Sequence, residues 1–462
     1  MSNLFNHRVA DEFVGADLGD QRRTARLMRL VESMAKDPSL SFPKAMPDAA
    51  ALEATYRMFN NVKVRPEAIL RPHVEQTVQR VLKEPVVLVA HDSSVMSFNS
   101  EGKEGLTQHF SKQQFLAHCS LAMQADETHR PLGLLAMSYH LQVKTPEKLL
   151  NERWPDHIRE VHALGIAPQN VVHLMDRESD DYDLLSFMNT MGARFVSRAK
   201  FNRRTVDGDY LEASLGRAMM QAEREVRLSR RTGKRVGAKQ LKANPARDGR
   251  VTTLSISAER VEIPRTPTAQ KSAPKQTQLN VVRVWEATPP PNETAVEWIL
   301  YTSEPIDTAE QILQIVDWYR ARWVIEEFFK SLKTGCSFEK RQLGDLHSLS
   351  NALALLAPMA WHLLLIKSEA RSRPLTPAHH VLDEDELEVL RLAAVRGRGL
   401  PENPTVLDVM LSIAALGGHQ KHNGLPGWQS LARGYQQLTT LVAGWSLRRA
   451  VEAGILPPLR DQ

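Results

Sequence analysis

Apolar residues change period several times along this chain of 462 residues. Over the first seventy or so they recur at helical spacing. Leu18-Gly19-Asp20 reads as a helix start ahead of Arg22-Arg23-Thr24-Ala25-Arg26-Leu27. From Pro85 the texture becomes strand-like, with runs at 86–90, 115–123 and 132–141 separated by polar or Gly-containing turns, which predicts an antiparallel meander. A helical stretch over 147–164, a buried-type strand Val171-Val172-His173-Leu174-Met175, a helix over 180–188 and a strand over 194–198 come next. Three strands, a helix, a strand, a helix and a strand make the ribonuclease-H order.

Between about 205 and 297 the pattern breaks into basic, turn-rich sequence with short strands expected at 251–256 and 279–285. Arg227, Arg230, Arg231, Lys234, Arg235, Lys239 and Lys242 make this a basic loop within an inserted β subdomain. A long helix is predicted from about Thr308 to Thr334, capped by Asp307 with Glu310 completing a capping box and Gly335 as its stop. The apolar run Ala352 to Ile366 is too short to span a bilayer and holds Pro358 and His362, so a buried core helix is expected, with no membrane partner. The remainder is helical and ends in a helix from about Trp428 to Ala453 whose apolar and aromatic residues suit packing on another subunit. The fold expected is therefore α/β: a ribonuclease-H-like core at 76–372 with the β insertion at about 205–297, between helical domains at 1–75 and 373–462.

Composition changes this picture little. With 42% hydrophobic and 24% charged residues the chain is of the ordinary soluble globular kind. A net charge of +5 and a pI of about 9.1 make a polyanion worth considering as partner. Cys119 and Cys336 stand far apart with no C-x-x-C pair, against a zinc ribbon or disulfide framework. That cysteine usage fits a reducing cytoplasm, and no secretory signal is expected, since the N-terminus reaches Asp11 and Glu12 without an apolar signal core. No P-loop is visible, so no nucleotide cofactor is expected.

Asp92 and Asp176 each come directly after the apolar run of a predicted buried strand. Two carboxylates at adjacent strand ends, without Cys or His beside them in the set, suit Mg²⁺ or Mn²⁺. Each Asp taken singly serves equally as a cap for the helix or turn on its C-terminal side. On the long helix, at ~100° per residue, Tyr319, Arg322, Glu326, Lys330 and Lys333 fall within roughly 80° of one another, beside an apolar side formed by Trp318, Ile325, Phe328, Phe329 and Leu332. A Glu among cations can complete a metal site while the cations hold phosphate oxygens. An exposed helix with i,i+4 ion pairs is the plainer account. Arg22, Arg23 and Arg26 on the first helix could grip phosphates or be a solvated basic face.

The stretch from Tyr319-Arg320-Ala321-Arg322 through Glu326 to Lys333-Thr334-Gly335 closely resembles the Y-R-E-K signature of DDE transposases of the Tn-five type, the insertion-sequence-four group. Asp92-Ser93-Ser94 and Asp176-Arg177-Glu178 resemble the family's two aspartate motifs, and Leu18 to Leu27 its N-terminal motif that contacts the transposon end. The resemblance runs from about residue 9 to the C-terminus and is weakest in the basic insertion and the last ninety residues. It implies that Asp92, Asp176 and Glu326 are catalytic and ligate two Mg²⁺ ions, with Mn²⁺ as a substitute. It also implies that Tyr319, Arg322, Lys330, Lys333, Arg198 and Arg177 hold DNA phosphates, that Trp298 stacks a flipped base, and that Arg22, Arg23 and Arg26 lie at the transposon end. A Trp entering a strand is otherwise a core residue. The implied activity is cut-and-paste transposition of double-stranded DNA, from terminal inverted repeats into target DNA, through a nick, a hairpin and its reopening, by a homodimer in a synaptic complex. The setting implied is the bacterial cytoplasm, at the nucleoid. A structure-specific nuclease of the same fold and a catalytically inactive end-binding regulator are the alternatives.

Overall fold

The computed structural model describes residues 9–99, 102–141, 151–228, 247–291, 293, 295–393, 399–420 and 425–453. In chain order these form α1 (Gln21–Lys36), α2 (Phe42–Ala45), α3 (Ala49–Phe59), α4 (Pro66–Val81), β1 (Val87–Phe98), β2 (Thr107–His109), β3 (Lys112–Gln124) and β4 (Pro131–His140). Then come α5 (Arg153–Ala163), β5 (Val171–Met175), α6 (Tyr182–Thr190), β6 (Arg194–Arg198), α7 (Leu211–Arg217), β7 (Ala222–Leu228), β8 (Arg250–Pro264), β9 (Gln276–Glu286) and β10 (Glu297–Thr302). The chain continues as α8 (Ala309–Ala321), α9 (Trp323–Lys330), α10 (Leu346–Ser372), α11 (Glu384–Ala393), α12 (Val406–Leu416) and α13 (Trp428–Glu452).

Two compact units result. One holds Met1–Lys83, Ser93–Pro146 and Val324–Gln462; the other holds Glu84–Asp92 and Glu147–Trp323. In the second, β1, β5 and β6 run parallel, and the sheet continues from β6 through β10, β9 and β8 to β7, all antiparallel. The strands expected to be short, at 251–256 and 279–285, are the N-terminal part of β8 and the C-terminal part of β9, fifteen and eleven residues long. They extend the same sheet, because β10 pairs with β6 on one edge and β9 on the other. Trp154, Ile158, Leu185, Met188, Phe195, Leu211 and Tyr301 build the core against it. Of the expected basic loop, Arg227 lies in β7; Arg230, Arg231, Lys234, Arg235, Lys239 and Lys242 fall outside the described residues, as does the start of the helix expected at 147.

In the first unit Asp20 caps α1 by accepting the amide N–H of Arg22 at 2.8 Å, as the sequence predicts. A buried cluster ties the 3-10 turn Val9–Phe13 to α4: Glu12 accepts from Arg80 at 2.8 Å and meets His73. Helix α10, capped by Asp345 at the amide of Ser348, is the expected core helix. Among the described residues it alone is long and apolar enough to cross a membrane, yet 83% of its apolar window is buried in the protein.

Three expectations need correction. The strand before Asp92 does not end there: β1 runs on to Phe98. Met96 and Phe98 are buried two residues apart, a strand period that the polar His91-Asp92-Ser93-Ser94 conceals in the sequence. The cap of α8 is Thr308, not Asp307, and its box partner is Gln311, not Glu310. Thr308 Oγ1 accepts from the Gln311 amide at 3.3 Å, and Gln311 Oε1 accepts the amides of Asp307 and Thr308, while Asp307 pairs with Arg260 at 2.6 Å. Nor is 308–334 one uniform helix. It is interrupted at Arg322 and wound as a π-helical turn over Ser331–Gly335, so a constant 100° spacing does not carry through to Lys333. Its apolar side is as expected: Trp318, Ile325, Phe328, Phe329 and Leu332 are all buried.

Candidate active site

The register of β1 on β5 sets Val87 beside Val171 and Ala90 beside Leu174. Asp92 stands two residues beyond Ala90 on β1 and Asp176 two beyond Leu174, directly after the end of β5, so the two follow level positions of neighbouring parallel strands, whose backbones are ~4.8 Å apart. Strand alternation puts Asp92 on the face of Leu88 and Ala90, and Asp176 on that of Val172 and Leu174. His91 takes the opposite face, where its Nε2 meets His173 Nδ1 at 2.8 Å and His173 Nε2 in turn meets His162 at 3.1 Å. Burial holds His91 well below its ordinary range and pushes His173 down to about 3.

Asp176 does act as a cap: it accepts the Glu178 amide at 2.9 Å and opens the 3-10 turn Arg177–Ser179. Ser179 Oγ, bonded to Ser197 Oγ at 2.8 Å, ties that turn to β6. Capping and a place in the site are therefore compatible.

Around this pair the second unit gathers its cations. Arg322 Nη1 lies 3.5 Å from Asp92 Oδ2, with both side chains largely buried. The Tyr319 hydroxyl is hydrogen-bonded by Arg322 and by Arg198. Burial raises Tyr319 above the usual phenol range against the pull of the two guanidiniums, so at neutral pH it keeps its proton. Arg198 is lowered by burial and feels Arg177 nearby, and it donates to Glu297 O at 3.2 Å. The half-buried Trp298 ring, at the start of β10, stands 6.0 Å from that of Tyr319, edge to face. Asp92, Asp176, Tyr319, Arg322, Arg198, Arg177 and Trp298 are thus brought together within one unit.

The remaining candidates belong to the first unit. Glu326 is half-buried in the first turn of α9. Lys330 is exposed and donates to Glu327 at 2.8 Å, while Lys333 donates to Val95 O at 2.6 Å and stands 3.6 Å from Glu339. On α1, Arg22 is solvent-exposed, Arg23 donates to Leu18 O at 3.3 Å, and Arg26 is half-buried.

Sequence reasoning missed Arg153. It is 4% exposed on α5, donates to Glu178 Oε2 at 3.0 Å, and is lowered by burial while Glu178, Asp176 and Asp92 pull the other way. Its signal was an arginine at the start of a helix, on the side of the core residues Trp154, His157 and Ile158, whereas Arg159 of the same helix pairs with Asp156 at 2.8 Å. Glu327 was missed too. Burial would raise its pKa, but hydrogen bonds from Lys330 and Lys367 hold it at about 2, and Trp428 Nε1 donates to it at 2.9 Å.

Residues 7–64 match the family described as "Transposase DNA-binding", and residues 88–361, more than half of the chain, match "Transposase DDE domain". The chain belongs to the DDE transposases. Among solved structures it is similar to a chain of "Cryo-EM structure of piggyBac transposase synaptic complex with hairpin DNA (SNHP)", at 10% identity and a TM-score of 0.34, covering 100% of this chain and 85% of that one. A DDE transposase acts on DNA with divalent metal ions. The second unit suits such an ion on two grounds. Asp92 and Asp176 offer only oxygen, the donor of hard divalent cations, and Arg322 already sets a positive group against Asp92.

Proposed function

We propose that this DDE transposase performs cut-and-paste transposition, with Asp92, Asp176 and Glu326 as its metal-binding carboxylates. The observation that carries the reading is the placement of Asp92 and Asp176 after level positions of neighbouring parallel strands, with Arg322, Tyr319 and Arg198 bonded into one group beside them. Mg²⁺, with Mn²⁺ as substitute and two ions per site, would supply activation of the attacking oxygen and stabilisation of the leaving one. The parallel trio β1, β5 and β6 supports the ribonuclease-H-like reading of the core.

The chain's own residues then have separable tasks. Arg322 and Arg198 present forked N–H donors that match phosphate oxygens, and the protonated Tyr319 hydroxyl adds a neutral donor between them. Arg177, Lys330 and Lys333 extend the same grip along the backbone. Trp298 offers one ring edge to Tyr319 and retains exposure for a stacked base, which suits a base extruded from a tight hairpin. In the sequence of nick, hairpin, reopening and 3′-end transfer, the nick and the reopening are hydrolyses by water, while hairpin formation and 3′-end transfer exchange one phosphodiester for another, so no nucleotide is needed. The helical N-terminal domain, about 1–75, reads the terminal inverted repeat, with Arg22, Arg23 and Arg26 of α1 at its phosphates. The domain at about 373–462, with α13, joins two protomers in the synaptic complex.

A radiolabelled transposon-end duplex incubated with the protein, Mg²⁺ and a target plasmid tests this. Nicked, hairpin and joined products are expected in turn. Asp92→Ala, Asp176→Ala and Glu326→Ala should each lower cleavage by roughly 10³-fold or more while end binding in a gel shift persists. Cleaved ends without joined product would make the protein a nuclease, and full activity in any of the three variants would remove that residue from the site.

A further inference from the structure

Away from the carboxylates, the first unit contains a cavity of about 80 Å³ walled by α10, α12, α13 and the segment after α1. A water needs roughly 10–15 Å³ of such space, so there is room for a small organic group. The wall is apolar, with Leu363, Val409, Met410, Leu431 and the Trp428 ring. The polar members of the lining are Asp37, Ser39, Tyr435 and Lys367, the last paired with Glu327 at 2.7 Å. Asp37, 3% exposed, forms part of the wall; its Oδ1 accepts from the amide and hydroxyl of Ser39 at 2.9 and 2.6 Å, but its Oδ2 is buried without a hydrogen bond. The cation within electrostatic reach, Arg341, directs its Nη groups to the carbonyls of Pro38, Leu40 and Cys336, and its Nε is buried without a hydrogen bond.

We propose that this cavity binds a small organic ammonium ion whose apolar body fills the wall and whose N–H group reaches Asp37. A buried carboxylate oxygen left without a donor is costly, and a charged N–H donor is the strongest remedy. A neutral hydrocarbon would leave the oxygen as it is, and a carboxylate would be repelled. Occupancy would bear on the helix of Glu326, because Trp428 and Lys367 both donate to Glu327, its neighbour on α9.

Saturation-transfer NMR on the full-length chain, with benzylamine, toluene and benzoate as matched probes, tests the proposal. Benzylamine is expected to bind with a Kd on the order of 1 mM, about tenfold tighter than toluene, with benzoate excluded. Asp37→Asn should bind benzylamine no better than toluene. Val409→Phe, which fills the cavity and leaves Asp37 alone, should abolish binding of benzylamine in a chain whose circular dichroism is unchanged. No transfer to benzylamine in the wild type, equal affinity for toluene, or undiminished binding in Val409→Phe would overturn it.

Discussion

Asp92 and His91 are neighbours in sequence and face opposite sides of β1, so one strand serves both the acidic site and a buried histidine group. His173 of that group has a folded pKa of about 3 against an ordinary 6.5. Its native form stays neutral where the unfolded chain takes up a proton. Its contribution to stability is therefore complete above pH 6.5 and is lost as pH falls toward about 3. Between neutrality and about pH 5 the loss should reach roughly 2 kcal/mol. Urea unfolding across this range should give a shallower slope for His173→Gln than for the wild type, with His91 keeping part of it; identical slopes would contradict the burial argument. None of this was legible in the sequence, where His173 is one letter in an apolar strand and its partners His91 and His162 lie outside that strand. Asp92 and Asp176 were legible as candidates because both end apolar runs. Their equal level was not, because register belongs to the pairing of two strands and not to either one.

At the scale of elements, periodicity placed β5, β6 and α13 to within about a residue of their ends, and it identified α10 as a core helix although Leu346–Ser372 outruns the expected 352–366 at both ends. It failed where polar function interrupts the pattern, as in β1 beyond Ala90, and where two capping residues compete, as at Asp307 and Thr308. Close helix crossings were also invisible. A Cβ on Gly434 of α13 would meet Ile413 O of α12 at 1.7 Å, and one on Gly417 would meet Ser430 O at 1.9 Å, so these two helices touch backbone to backbone. Gly434→Ala should cost about 1–3 kcal/mol by urea denaturation because the obstacle is backbone that cannot swing aside. Gly444, on the same helix with nothing within 4 Å of its Cβ position, is the control. Gly444→Ala should stabilise by roughly 0.5–1 kcal/mol. A Gly434→Ala protein as stable as the wild type would mean that the crossing is looser than described.

For the whole molecule, the match to the DDE domain, residues 88–361, runs through residues of both compact units. Sequence reasoning reached Glu326 through its company, with Tyr319 and Arg322 before it and Lys330 and Lys333 after it. The structure gives Tyr319 and Arg322 a physical basis, since both are bonded into the group beside Asp92, and it gives Lys330 and Lys333 protein partners of their own in Glu327 and Val95. The Arg22, Arg23 and Arg26 cluster lies within residues 7–64, the DNA-binding match. The most direct measurement is an anomalous-scattering map of the protein crystallised with Mn²⁺ and a transposon-end duplex. The account predicts manganese bound by carboxylate oxygens of Asp92, Asp176 and Glu326, with the Arg322 guanidinium turned from Asp92 onto a phosphate; manganese held by other residues, or Glu326 outside its coordination, would contradict it.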